Sequence, residues 1–120
     1  MGRTVLVTGA SRYLGARMVR VLSADPAVDR VIGVDVVPPR HPIGSGEFVR
    51  ADIRNPIIGK VIAAGDIDTV VHMGVIATPV QAGGRATMKE INVIGTMQLL
   101  AACQKSPTVS RLIVKSTSSV

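Results

Sequence analysis

The sequence predicts an α/β fold: an open, doubly wound parallel sheet covered by helices on both faces. Three observations predict it. Short β-branched runs alternate with helical stretches along all 120 residues, a rhythm that pairs strands in parallel through right-handed crossovers. The strand runs Val5-Leu6-Val7 and Val31-Ile32-Gly33-Val34 are continuously apolar, which implies burial on both faces. The composition, 47% hydrophobic and 18% charged, suits one folded domain, taken as residues 1–120. Its core must be built from Val, Ile, Leu, Ala and Met, because Tyr13 and Phe48 are the sole aromatics.

Each element follows from local signals. Thr4 to Thr8 reads as strand one. Leu14, Met18, Val21 and Leu22 then recur at helical spacing, with Arg17 and Arg20 on another face, and this helix stops near Asp25-Pro26. Arg30 to Asp35 is strand two. Pro38, Pro39 and Pro42 force an irregular loop before a short third strand, Glu47 to Ala51. Asn55-Pro56 opens a short helix, with Asn as cap and Pro in the first turn, which ends near Gly65. Asp68 to His72 is strand four. A loop containing Gly and Pro runs to Gly84, and a long helix follows from about Arg85 to Gln104. Pro107 breaks the chain before strand five, Arg111 to Ser116.

Composition removes several functional classes. The single cysteine, Cys103, cannot form an internal disulfide. With only His41 and His72 beside it, no structural zinc site forms without carboxylate help, and no metal is expected. The longest stretch free of Asp, Glu, Lys and Arg is Thr69 to Gly84, 16 residues broken by His72, glycines and Pro79. A membrane-spanning helix needs about 20 mostly apolar residues, so no membrane partner is expected. No charged leader precedes an apolar stretch, and the expected compartment is the cytoplasm. The net charge of +6 comes from dispersed basic residues, never two in succession, and two aromatics offer no stacking platform. Nucleic acid is therefore not the expected partner; the charge is a solvated surface with some attraction for anionic ligands.

The turn after strand one is the most informative segment. In Thr8-Gly9-Ala10-Ser11-Arg12-Tyr13-Leu14-Gly15, a glycine directly after the strand permits a tight turn. A second glycine, inside the helix, lets helix and strand approach closely. The free N–H groups at the helix start then face a ligand's phosphates. Asp35 stands 20 residues beyond Gly15, at the end of strand two. A carboxylate there accepts hydrogen bonds from the adenosine ribose of NAD and repels the 2′-phosphate of NADP. The competing reading is a turn aspartate before the Pro-rich loop.

These motifs together resemble the short-chain dehydrogenase/reductase superfamily, in its extended branch of NAD-dependent epimerases and dehydratases acting on nucleotide sugars. TGASRYLG resembles that branch's TGxxGxxG turn, and Ala51-Asp52-Ile53 its adenine-contacting segment after strand three. Val70-Val71-His72-Met73-Gly74-Val75 resembles the VVHLAA-type end of strand four, and Asn92-Val93-Ile94-Gly95-Thr96 the NVxGT segment. Ser116-Thr117-Ser118-Ser119-Val120 resembles the segment that precedes Tyr-Gly. The resemblance covers the whole chain. It implies a Rossmann-like sheet of order 3-2-1-4-5, cut before a sixth strand, with an exposed flank there. It implies NAD, rather than NADP, as cofactor, held by Gly9, Ser11, Arg12, Tyr13, Leu14, Gly15, Asp35, Asp52, Ile53, Met73, Gly74, Val75 and Asn92. A nucleotide sugar is the implied substrate, and Thr117 the catalytic hydroxyl. Gly9, Asp35, Asp52, Met73 and Thr117 each sit at or just past a strand end, so a parallel sheet gathers them on one edge.

Two departures stand out. Arg12 occupies the extended branch's middle glycine, and Tyr13 that of the single-domain branch. The Arg12 side chain can pair with the pyrophosphate, reach for a 2′-phosphate, or hinder the cofactor. The family's Tyr-xxx-Lys pair is also absent from these 120 residues, so the expectation is a fragment inactive alone. Ser118 and Ser119 stand where dehydratases carry Asp-Glu, which favours epimerase or dehydrogenase chemistry. The alternative is a non-catalytic dinucleotide-binding module or sensor.

Among the remaining residues, His72 is either a polar ring at the crevice or a hydrogen-bonded structural histidine. Met73, Met88 and Met97 read as gap-fillers, and Cys103 as structural. From Ile91 to Cys103 the long helix is apolar on nearly every face, so it should be buried on both sides. In resembling enzymes this helix contributes to a four-helix interface, which implies a homodimer for the full-length protein.

Overall fold

The computed structural model describes residues 2–73, 84, 86, 87 and 90–114. Five strands form one parallel sheet: β1 (Arg3–Thr8), β2 (Val28–Asp35), β3 (Glu47–Arg50), β4 (Thr69–His72) and β5 (Arg111–Val114). Their order is β3-β2-β1-β4-β5, as expected. Among the described residues, α1 (Tyr13–Ser23), α2 (Ile57–Ala64) and α3 (Thr96–Lys105) accompany them. The chain reverses its direction of travel across the sheet between β3 and β4, so β1 and β4 flank the switch point, where open α/β sheets bind ligands.

The two-sided burial read from the strand runs is visible residue by residue in β1. Val5 and Val7 join Ala10, Val19, Val31 and Val71 in a core beneath α1. Leu6, between them, points the other way, into a core with Ile32, Val34, Ile58, Ile62, Val70 and Leu99 beneath α2 and α3. Full burial of such a side chain stabilises the fold by roughly 1.5–3 kcal/mol. Asp68 stitches the opposite sheet edge together: its carboxylate accepts the Thr4 N–H at 2.9 Å, and its carbonyl accepts the Ser110 N–H at 2.9 Å.

Helix α2 starts where the sequence predicts, but Pro56 rather than Asn55 is its N-cap, at φ −56°. Asn55 Oδ1 accepts the Ile57 N–H at 3.0 Å, satisfying an orphan donor of the first turn. Gly65 caps its end with φ −91°, and the left-handed residue is the next one, Asp66, at φ 50°. Aspartate is among the few residues that tolerate this region.

Two expectations are corrected. In α1 the buried residues are Gly15, Ala16 and Val19, with Met18 and Leu22 partly buried, while Leu14 and Val21 face outward. The contact between Gly15 and the preceding turn sets the helix's rotation, and that overrides the apolar stripe. The long helix is not uniformly α-helical either. Glu90–Gly95 winds as a π-helix before α3 begins. Nor is it buried on both sides. Leu99 is buried and Ala102 and Cys103 pack beside it, whereas Val93, Ile94, Met97 and Leu100 are exposed, Met97 at 65%. Among the described residues, α2 and Ile53 cover one side of this helix and nothing covers the other. Ile113 and Val114 of β5 are likewise about half exposed, both 48%.

Candidate functional site

The site is assembled at the carboxyl ends of β1, β2 and β3. After Thr8 the chain turns through Gly9 at φ +75°, a conformation that disfavours any side chain. The Gly9 and Ala10 N–H groups both donate to the Val34 carbonyl, at 3.0 and 3.3 Å, which ties the turn to β2. Gly15 lies directly under the turn. A Cβ at position 15 would stand 2.0 Å from the Gly9 carbonyl oxygen, so only glycine allows α1 to start here. Arg12 caps α1 with φ −92° and ψ 161°, an extended conformation open to any residue. The missing middle glycine therefore costs the turn no backbone strain.

Asp35 closes β2 beside this turn. Its Oδ2 accepts the Ser11 N–H at 3.0 Å and the Ser11 hydroxyl at 2.5 Å, and its Oδ1 accepts the Val36 N–H at 2.7 Å. Asp52 follows β3. Arg54 grips it with Nη2 donating at 2.7 Å and Nε at 3.1 Å, while the Arg54 N–H donates at 2.9 Å. The Arg54 hydrogen bonds hold the Asp52 carboxyl below the usual carboxylate range, against the opposing effect of partial burial. Gly9, Arg12, Asp35, Asp52 and Ile53 line one cavity of about 100 Å³, with Thr8, Val34, Val36, Ala51 and Arg54 completing its wall. A second depression, of about 420 Å³, shares Val36, Ala51 and Asp52 with it. Two cations and two carboxylates thus face one crevice.

The other expected residues are distributed differently. Ser11 reaches the site through Asp35. Tyr13 is exposed, accepting a hydrogen bond from Arg17 at 3.2 Å and meeting the His41 ring edge-on at 5.5 Å. Leu14 is exposed as well. Met73 packs against the apolar cluster beneath α1, in keeping with a gap-filler. Asn92 lies half-buried in the π-helical turn. Gly74, Val75, Arg85, Met88 and residues 115–120, among them Thr117, lie outside the described residues.

Three connections went unread in the sequence. The Ser11–Asp35 bond joins residues 24 apart, and only the pairing of β1 with β2 reveals it. Arg54 follows Asp52 at a two-residue spacing, a local signal that could have found it. His72 is fully buried, with Nδ1 2.6 Å from Thr8 Oγ1 and Nε2 3.0 Å from Thr96 Oγ1. It is the structural histidine of the two readings, and burial pushes its pKa down. Burial likewise pushes the Cys103 thiol up, which lowers its thiolate fraction. Among the described residues, no helix is long and apolar enough to cross a membrane, and no three His, Cys, Asp or Glu side chains group as metal ligands.

Comparison with known proteins places this crevice in context. The sequence model of the NAD dependent epimerase/dehydratase family matches residues 5–120. An uncharacterized protein of Mycobacterium tuberculosis is 51% identical over 98% of the chain, which covers 32% of that protein. Human short-chain dehydrogenase/reductase family 42E member 1 is 34% identical over 98% of the chain, covering 30% of its length. The chain thus spans about a third of the relatives it matches. Among solved structures, UDP-glucose-4-epimerase from Stenotrophomonas maltophila, with bound NAD and formylated UDP-arabinopyranose, superposes over 100% of the chain and 38% of its own, with a TM-score of 0.82 at 23% identity. A mutant uronate dehydrogenase from Agrobacterium tumefaciens complexed with NAD superposes over 98% and 42%, with a TM-score of 0.74 at 25% identity.

Proposed function

The chain belongs to the NAD dependent epimerase/dehydratase family, and from that premise we propose that it is the cofactor-binding part of an NAD-dependent epimerase or dehydrogenase acting on a nucleotide-sugar hydroxyl. The observation that carries the reading is the convergence of Gly9, Arg12, Asp35 and Asp52 on one cavity at the carboxyl edge of the sheet. The residues present fit a dinucleotide. The positive φ of Gly9 and the close approach of Gly15 to the Gly9 carbonyl oxygen bring the start of α1 against the end of β1. The N–H groups of residues 9–12 are held by Val34, Asp35 and Gly9 oxygens. Asp35 lies where it can accept from ribose hydroxyls, and Asp52 and Ile53 border the place for adenine.

Bound NAD would supply a hydride acceptor and donor. The chain's own contributions are to bind and to orient. Ser11 fixes the Asp35 carboxylate so that it meets a ribose diol without reorganising, and the same charge opposes a 2′-phosphate. Arg54 fixes Asp52 in the same way. Thr117 would hold the substrate hydroxyl. Proton abstraction is assigned to no residue here. The only tyrosine, Tyr13, stands in the first turn of α1, and Arg17 rather than lysine follows at the family's spacing. A nucleotide sugar as substrate and a homodimer through the exposed apolar side of α3 belong to the same reading. Epimerase or dehydrogenase chemistry is preferred over dehydration because Ser118 and Ser119 replace an Asp-Glu pair.

Hydrogen exchange with and without NAD tests the site. Protection confined to residues 9–15, 35–37 and 51–54 supports it. Absence of protection there at saturating NAD refutes it.

A further inference from the structure

We propose that Arg12 is a pyrophosphate ligand: its guanidinium takes the bridging phosphates of the bound dinucleotide, replacing the backbone approach that a glycine at position 12 would offer. The inference rests on the dinucleotide reading of the crevice and goes beyond it by assigning the residue that departs from the family pattern.

Three observations carry it. Of the described arginines, only Arg12 and Arg54 are half-buried; the rest are exposed. Arg54 is neutralised by Asp52, whereas the Arg12 guanidinium makes no hydrogen bond or ion pair with a described residue, although it lines the cavity. A half-buried cation with no carboxylate partner, lining a crevice, is available to an anion that enters there. Second, Arg12 caps α1 itself, and the helix has no acidic residue in its first turn and no side-chain cap. The guanidinium and the positive end of the helix dipole therefore serve the same place. Third, position 12 has ordinary extended backbone, so the arginine is there without strain and its side chain is free to contribute binding. The carboxylate of Asp35, held by the neighbouring Ser11, disfavours a second anion at the ribose and leaves the pyrophosphate as the anion Arg12 meets.

The test restores the glycine. Titrating NAD, ADP-ribose, NADP and adenosine into the intact protein and its Arg12→Gly and Arg12→Gln variants separates the outcomes. Loss of one charge-assisted contact should weaken NAD and ADP-ribose by about 10- to 100-fold in both variants and leave adenosine unchanged. The wild-type protein's NAD affinity should also fall more steeply with salt than either variant's. An exposed control, Arg20→Gln, should bind as wild type. Equal or tighter NAD binding by Arg12→Gly overturns the proposal, since the side chain would then be an obstruction. A loss confined to NADP overturns it too, in favour of a 2′-phosphate contact. If the wild-type protein binds adenosine but no dinucleotide, the dinucleotide reading itself fails. Arg12→Gln, which preserves side-chain bulk, keeps the test valid should the glycine variant unfold.

Discussion

At Gly15 a single added carbon decides whether the turn can form. Its nearest neighbour would be a backbone oxygen at 2.0 Å, which cannot swing away as a side chain would. Gly15→Ala should therefore destabilise the protein by about 1–3 kcal/mol, as overpacked sites do, and abolish NAD binding at concentrations that saturate the wild type. Denaturant melts and an NAD titration read both effects. At Asp35, substitution by Asn keeps the shape and removes the charge; NAD should weaken about tenfold while NADP is relieved of repulsion. Competition between the two cofactors on Asp35→Asn measures the shift, and an unchanged ratio would contradict the role. His72 carries a pH signature. Burial lowers its folded-state pKa below the ordinary 6.5, so the unfolded chain binds its proton first on acidification. Its contribution is complete above about pH 6.5 and declines as pH falls toward the lower folded value. The Tm of the wild type should drop as pH falls below about 6.5, and His72→Gln should show a flatter profile there. Residues such as Gly9, Gly15 and Asp35 were legible because their chemistry is dictated by position along the chain. The partners of Asp35 and His72 were not, because those bonds cross 24 and 64 residues that only the sheet brings together.

At the scale of elements, strand positions were legible almost to the residue, since buried parallel strands are apolar throughout and end in turn residues. The start of α2 was legible to within a residue, and Asn55→Ala should cost about 0.5–1.5 kcal/mol through the lost Ile57–Asn55 hydrogen bond, read as a lower Tm. Helix faces were harder. Four apolar residues in α1 suggested one stripe, yet contact at Gly15 rotates Leu14 and Val21 outward. The π-helical turn at Glu90–Gly95 had no sequence signature. The even apolar distribution along Ile91 to Cys103 suggested burial on both sides, whereas Val93, Ile94, Met97 and Leu100 are exposed. If that surface is the dimer interface, Met97→Glu should convert a dimer of the full-length protein to monomer by light scattering. A dimer that survives the change would place the interface elsewhere.

At the scale of the whole molecule, the order β3-β2-β1-β4-β5 brings three strand ends that are far apart in sequence to one crevice. That gathering is a property of parallel topology, and it was legible once the strand-helix rhythm was recognised. Ile113 and Val114 of β5 and the outer side of α3 are exposed among the described residues. If the crevice holds NAD and Asp35 selects it against NADP, calorimetric titration of both cofactors into the intact wild-type protein should show saturable one-to-one NAD binding, at least tenfold tighter than NADP. Tighter binding of NADP, or no binding of either, would contradict it.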